Sequence, residues 1–491
     1  VAAVSEPSLR LASSTGRTAL VATVLASALA SLDATIVNVA LPEIGADLDT
    51  DVSGLQWVST SYLITLASLI LLGGALGDRF GRRRVFVVGI VWFTVASAAC
   101  GLAPNVETLV AGRLLQGVGG ALVAPGSLAL IQASFHRDDR AAAVGSWSAL
   151  GGVAGALGPF LGGWVVDGPG WRWAFLLNIP LAGLALVATR AVPESSDPDA
   201  TRGFDVAGAA LAVATLAGIT WTLISAGERG WDDPVAIAPG LAGAVTAAVF
   251  VRIQRRSRHP LVPPRLFASR TFTVLNLATF TLYAALGTLF FLVVYQLQVA
   301  LGWRALSAGS ALLPATLIML LGSTRSGRLA ERIGPRPQLV VGPLLVAAGF
   351  VVLSGIEPGS SWVTGVLPGA VVVGLGLVTL VAPLTASVMG SVDDAHVGTA
   401  SAVNNAVART AGLAAVALVP VLAGLTAARG PAETTDAFRT AMWISAGVAV
   451  VSAVVSALWL PPRARCRRPD GEVHCAVDGT PLRGDAVPSP R

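Results

Sequence analysis

Runs of roughly twenty apolar residues, the length of helix that crosses a bilayer, recur from residue 18 to residue 460. Nothing else in the chain restricts its fold so strongly. In lipid a backbone has to satisfy its own hydrogen bonds, so such runs become membrane-spanning helices. Their continuity excludes a membrane barrel, whose strands alternate apolar and polar residues. Only 12% of the residues are charged, about half the share usual in soluble domains. The fold class expected is an all-α polytopic membrane protein.

Apolar windows predict fourteen spans, near 18–41, 57–77, 85–103, 107–130, 143–166, 173–190, 204–226, 235–251, 272–299, 308–327, 338–356, 362–386, 398–424 and 438–460. The arginines test that count. The chain contains no lysine, so all 33 basic residues are arginine. With the N-terminus inside, 26 fall in inner loops and tails, and five in outer loops: Arg172, Arg229, Arg304, Arg429 and Arg439. Two, Arg113 and Arg409, fall inside spans. Cytoplasmic loops carry such an excess, and one miscounted span would reverse every later loop and spoil it. The expectation is a multi-pass protein of the cell membrane with both termini cytoplasmic. A lead-in covers residues 1–17, and a charged, disordered cytoplasmic tail covers 461–491.

Several function classes drop out. Without lysine there is no Walker-type phosphate loop, so ATP is not expected as a partner. Three cysteines give no disulfide framework, and "CRRPDGEVHC" falls in the tail. The four histidines lie in loops or the tail, away from any acid pairing that would mark a metal site or an enzyme. The net charge of +5 belongs to loops of one side and implies no nucleic acid. The first apolar run is too long for a signal peptide and reads as a retained span.

An internal repeat organises the spans. "GALGDRFGRR" (Gly74 to Arg83) lines up with "GRLAERIGPR" (Gly327 to Arg336) at an offset of 253. Asp78 matches Glu331, Arg79 matches Arg332, Gly81 matches Gly334 and Arg83 matches Arg336. Val144-Gly145 and Val397-Gly398 obey the same offset. Each loop follows an even-numbered span, so the repeats are parallel halves with a substrate path between them. The domains expected are a six-helix half at 18–190, two inserted helices at 204–251 and a second six-helix half at 272–460.

Four motifs carry a family resemblance over residues 18–460: "LDATIVNVALP" from Leu32, the Gly74 to Arg83 loop, "RLLQGVGGA" from Arg113, and "GPFLGG" from Gly158 followed by "WRWAFLLNIP". In order and spacing they resemble the major facilitator superfamily, within it the fourteen-helix drug:proton antiporter branch. The resemblance implies a proton-coupled secondary exporter of hydrophobic or amphipathic drugs or antibiotics, working by alternating access. It further implies protons and a small molecule as partners, and a proton gradient in place of any cofactor. The protein is expected to act as a monomer. Export of an endogenous metabolite, lipid or siderophore stays open, as does a receptor that no longer transports.

Residue chemistry supplies candidates for each task. Asp33 lies inside the first span, where a carboxylate is costly and ordinarily faces a partner or a cavity. Helical rise puts Asp33 roughly 12 Å and Arg113 roughly 9 Å from the same face, so the two form a candidate proton-coupling pair. The position matching Arg113 in the second half is Val366. The resemblance implies a cytoplasmic latch built from Gly74, Asp78, Arg79, Gly81, Arg82, Arg83, Glu331 and Arg332, in which Asp78 can hydrogen-bond or meet a helix N-terminus of the other half. The glycine-rich fifth span, with Gly145, Gly158, Pro159, Gly162 and Gly163, packs closely on neighbouring helices. The resemblance associates it with antiport. Polar residues within spans make the candidate cavity list: Asn38, Tyr62, Gln116, Asn276, Tyr283, Tyr295, Gln296, Asn404, Asn405 and Arg409.

Overall fold

The computed structural model describes residues 9–196, 205–257, 260–393 and 397–460. The first eight residues and the tail from 461, with its two cysteines, lie outside them. Sixteen α-helices follow in order: α1 Ser14–Asp47, α2 Val52–Phe80, α3 Arg82–Gly101, α4 Val106–Ser134, α5 Arg137–Asp167, α6 Trp173–Leu176, α7 Asn178–Ala188, α8 Val206–Arg229, α9 Pro234–Arg256, α10 Arg270–Tyr295, α11 Ala305–Ser310, α12 Leu313–Ile333, α13 Pro335–Leu353, α14 Leu367–Met389, α15 Val397–Leu422 and α16 Pro431–Trp459. Among the described residues, thirteen continuous segments are long and apolar enough to cross a bilayer. α5, with a shorter apolar stretch at Val153–Asp167, supplies the fourteenth expected span.

Local chemistry sets the helix starts. Ser13, Asp51, Asn105, Asp205 and Ser269 each accept a backbone N–H from the first turn of the helix they precede. The sixth span is broken at Leu177, so Asn178 opens α7 rather than lying within a straight helix. The tenth begins with the short α11 before α12. Residues 9–13 are docked rather than a free lead-in. Leu9 bridges to Phe135, Arg10 pairs with Asp138 at 3.1 Å, and the Leu11 N–H donates to Asp139. The acids of the first turn of α5 draw in the chain that precedes α1.

Helices α1 to α7 pack chiefly on one another, with α4 against α2 and α3, and α1 against α5 and α7. The helices from α10 onward do likewise: α10 lies on α15 and α16, α14 on α12 and α13. α8 and α9 form a hairpin, and α8 rests on both α2 and α15. Close approaches join the two groups near the face that carries Asp47 and Asp167. There the Gln56 amide donates to the Val416 and Ala417 carbonyls, and the Gln298 amide donates to the Val39 carbonyl.

The repeated arginine loops take the same backbone shape at the opposite face. Gly81 and Gly334 separate consecutive helices with φ of 104° and 82°, a region that L side chains avoid. The surroundings differ. At the first loop the Glu194 carboxylate accepts the N–H groups of Arg83 (3.0 Å) and Arg84 (3.1 Å), and the Arg82 N–H donates to the Ser195 carbonyl. Glu194 thus caps the positive end of the α3 dipole. The partner of Asp78 among the described residues is Arg82 of its own loop, at 2.8 Å, because a four-residue separation across the turn brings the two together. Glu331 and Arg332 of the echo are exposed. Glu194→Ala is expected to lower stability by about 1 kcal/mol, the usual value of a cap, and Glu194→Gln by less. Unfolding by SDS titration of the purified protein measures both.

Candidate functional site

The site is assembled where α1, α4 and α7 meet. On α4, Arg113 and Gln116 stand three residues apart and therefore share a face. The glycines of "QGVGG" bring that helix close to α2: a Cβ on Gly117 would overlap the Tyr62 carbonyl and the Thr65 hydroxyl. α1 contributes Asp33, and the first residue of α7 contributes Asn178.

Asp33 and Arg113 form a salt bridge between Oδ2 and Nη1. Asp33 Oδ1 accepts from Gln116 Nε2 at 2.7 Å and from Asn178 Nδ2 at 3.0 Å. Arg113 Nη1 also donates to Gln116 Oε1 at 2.7 Å, and its Nε to the Val58 carbonyl at 3.2 Å. Ser97 accepts from both Gln116 and Asn178 and donates to the Phe175 carbonyl. The guanidinium lies 4.5 Å from the Tyr62 ring centre and 5.8 Å from that of Phe175. Asp33 is 0% and Arg113 1% exposed, so the pair is sealed from solvent.

Two charges at this depth survive because each is paired and hydrogen-bonded, and the aromatic faces complete the cation's shell. Every partner of Asp33 is a donor, which suits its carboxylate form. The arrangement supplies charge compensation between a buried acid and a buried cation.

The other candidates divide by what they touch. Gly158 and Gly162 are the contact of α5 with α1: a Cβ on either would collide with Thr35 or Ile36. Gly163 abuts the backbone of Ala305 and Leu306 at the start of α11, and Gly309 abuts the Pro159 carbonyl. Asp167 caps α11 by accepting the N–H groups of Ala305 and Leu306, both at 3.1 Å. Gly145 has open space where its Cβ would lie.

Of the expected cavity residues, Gln116 belongs to the charge cluster. Asn404 donates to Asn276 and Thr279, which joins α15 to α10. Gln296 donates to Thr435 of α16. Tyr295 stacks on Phe291 at 6.2 Å, and Asn38 accepts from Ser59. Asn276, Asn404 and Gln296 are therefore helix-to-helix ties, the commonest use of amides in membranes. Asn405 is exposed, while Tyr283 and Arg409 are half-buried. Sequence reasoning missed Asn178, Ser97, Glu194 and Asp167. Asn178 had a signal, an amide within the apolar run "AFLLNIP"; the others are ordinary residues until the helices pack.

This architecture matches a known family model, that of the major facilitator superfamily, over residues 23–416. The chain belongs to the major facilitator superfamily. It is 34% identical over 483 residues to the puromycin resistance protein of Streptomyces alboniger, covering 94% of each chain. It is 35% identical to the lincomycin resistance protein of Streptomyces lincolnensis, covering 90% of each. The tetracenomycin C resistance and export protein of Streptomyces glaucescens is 34% identical, with 82% of this chain and 75% of that one covered. Among solved structures, a bacterial homolog of the human lysosomal transporter Spinster superposes with a TM-score of 0.66 at 17% identity, covering 92% of this chain and 99% of that one. A peptide transporter gives 0.65 at 16%, covering 92% and 95%. These structural likenesses establish the fold. The protein is a multi-pass membrane transporter of small molecules and not an enzyme.

Removing one member of the sealed pair leaves the other buried and uncompensated. Arg113→Met is expected to cost about 3–5 kcal/mol. Adding Asp33→Leu is expected to recover most of that loss. A double-mutant cycle read by SDS unfolding checks the coupling, and additive losses would mean that the two side chains are not energetically linked.

Proposed function

We propose that this transporter is a proton-coupled exporter of hydrophobic or amphipathic drugs or antibiotics, driven by the proton gradient without a cofactor and working by alternating access. The observation that carries the reading is the sealed contact of Asp33 with Arg113. A buried acid held by a permanent cation is a site whose charge state and packing change together. The printed names of the relatives, which are resistance and export proteins, support drugs as the substrate class.

The positive-inside bias supports arginine loops in the cytoplasm, with both termini on that side and the protein in the cell membrane. Helices from 18–190 and from 272–460 act as two bodies that rock about the substrate path, and the 204–251 hairpin rides between them. The contact of Gly163 and Asp167 with α11 serves as the outer closure; its opening requires α11 to give up the carboxylate cap. Gly74, Asp78, Arg79, Gly81, Arg82 and Arg83, with Glu331 and Arg332, form the cytoplasmic hinge regions. Asn38, Tyr62, Tyr283, Tyr295, Asn405 and Arg409 are the polar contacts nearest the path, and the monomer is the working unit.

The test is dissipation of a pH gradient in inside-out vesicles on addition of candidate antibiotics and lipophilic cations. The wild-type protein is expected to respond to at least one compound. Asp33→Asn, inserted to the same level, is expected to give only the background signal. Equal dissipation by the variant would remove Asp33 from the proton path.

A further inference from the structure

Arg409 stands midway along α15, roughly 18 Å from either end at 1.5 Å per residue. Its side chain is half-buried and, among the described residues, makes no hydrogen bond or ion pair. Arginine keeps its charge under all ordinary conditions, and at mid-membrane it costs at least about 2.5 kcal/mol. The acid near this depth is already committed: Asp33 is bonded to Arg113, Gln116 and Asn178. Among the described residues Arg409 is thus a cation without an ion-pair partner.

Neighbouring contacts fix where that charge faces. Two turns further along the same side of α15, the Val416 carbonyl accepts from Gln56 of α2 at 2.7 Å. Three residues from Arg409, Gly412 abuts Gly287 of α10, where an added Cβ would lie 2.7 Å from the Gly412 Cα. α2 and α10 therefore both close on α15 on one side of Arg409, toward the Asp167 face. Tyr62 lies six residues from Gln56, and Tyr283 four residues from Gly287, both displaced toward the arginine loops. The two tyrosines accordingly come level with Arg409, and its charge acts electrostatically on both hydroxyls. Tyr62 is 1% exposed, and its buried hydroxyl has no hydrogen-bond partner. A hydroxyl in that condition ordinarily costs about 1–3 kcal/mol. A cation without an ion pair thus stands level with a tyrosine hydroxyl that, among the described residues, has no hydrogen-bond partner and lies against Gly120 of α4.

We propose that Arg409, with the hydroxyls of Tyr62 and Tyr283, is the recognition site for an acidic group, a carboxylate or acidic phenol, on the amphipathic molecule that the protein transports. The proposal rests on the exporter reading and narrows its substrate class. A guanidinium offers a carboxylate two parallel N–H donors, and a tyrosine hydroxyl adds a third. Tyr62 also links the site to the charge pair, since the Arg113 guanidinium lies over the face of its ring at 4.5 Å. An anion at the Tyr62 hydroxyl draws on the same positive field that holds Asp33.

The experiment uses the full chain in phosphatidylcholine nanodiscs, where no anionic lipid competes, with dansyl-phenylalanine and its carboxamide as fluorescent probes. Wild type is expected to bind the acid about ten-fold or more tightly than the carboxamide, the size of one charge-assisted contact. Arg409→Gln is expected to abolish that preference by weakening the acid alone, and Arg409→Lys to restore part of it. Tyr62→Phe is expected to weaken the acid by a smaller factor. No acid preference in wild type overturns the proposal, and that comparison needs no variant to fold. Undiminished acid binding by Arg409→Gln overturns it as well. Binding is read without transport, so failure of the acid preference leaves proton exchange to be judged by the vesicle assay.

Discussion

The structure depends on a charge placed where charge is least welcome. Asp33 and Arg113 are tolerated in the membrane only because α1, α2, α4, α6 and α7 arrange donors and aromatic faces around them. The Val58 carbonyl, the Phe175 ring and Asn178 have no common sequence signal, yet each contacts a member of the pair, and Ser97 holds Gln116 and Asn178 in place. Such a cluster is all-or-none, because loss of one partner strands another in a medium that offers no water.

Close helix approach is what lets the cluster form. Gly117 brings α4 onto α2, while Gly158 and Gly162 bring α5 onto α1. The same helix then presents Gly163 and Asp167 to α11. α5 therefore touches both the helix that carries the acid and the helix across the seam.

The two arginine loops show how much a repeat reveals. Gly81 and Gly334 share their backbone shape, as the offset of 253 implies. Their partners do not repeat: Glu194 caps α3, whereas α13 begins with Pro335, which needs no donor satisfied at that position. Asp78 binds Arg82 of its own loop. A sequence repeat preserves the torsion that a turn demands, while the acid that fills the turn comes from wherever the next connection happens to pass.

By itself the sequence determined the membrane class, the number of crossings and the position of Asp33 and Arg113. Apolar run length, arginine asymmetry and helical rise are properties of short segments and need no knowledge of packing. It also marked Arg409 as a charge without a nearby acid, though not what surrounds it. Only the tertiary structure decided that Asp33 and Arg113 touch, that Asn276, Asn404 and Gln296 tie helices together, and that the Tyr62 ring lies against Arg113. Those facts turn on how helices distant in sequence rotate about their own axes against one another. In lipid that rotation is set by close packing and polar satisfaction summed over the whole bundle, which no single stretch of sequence contains.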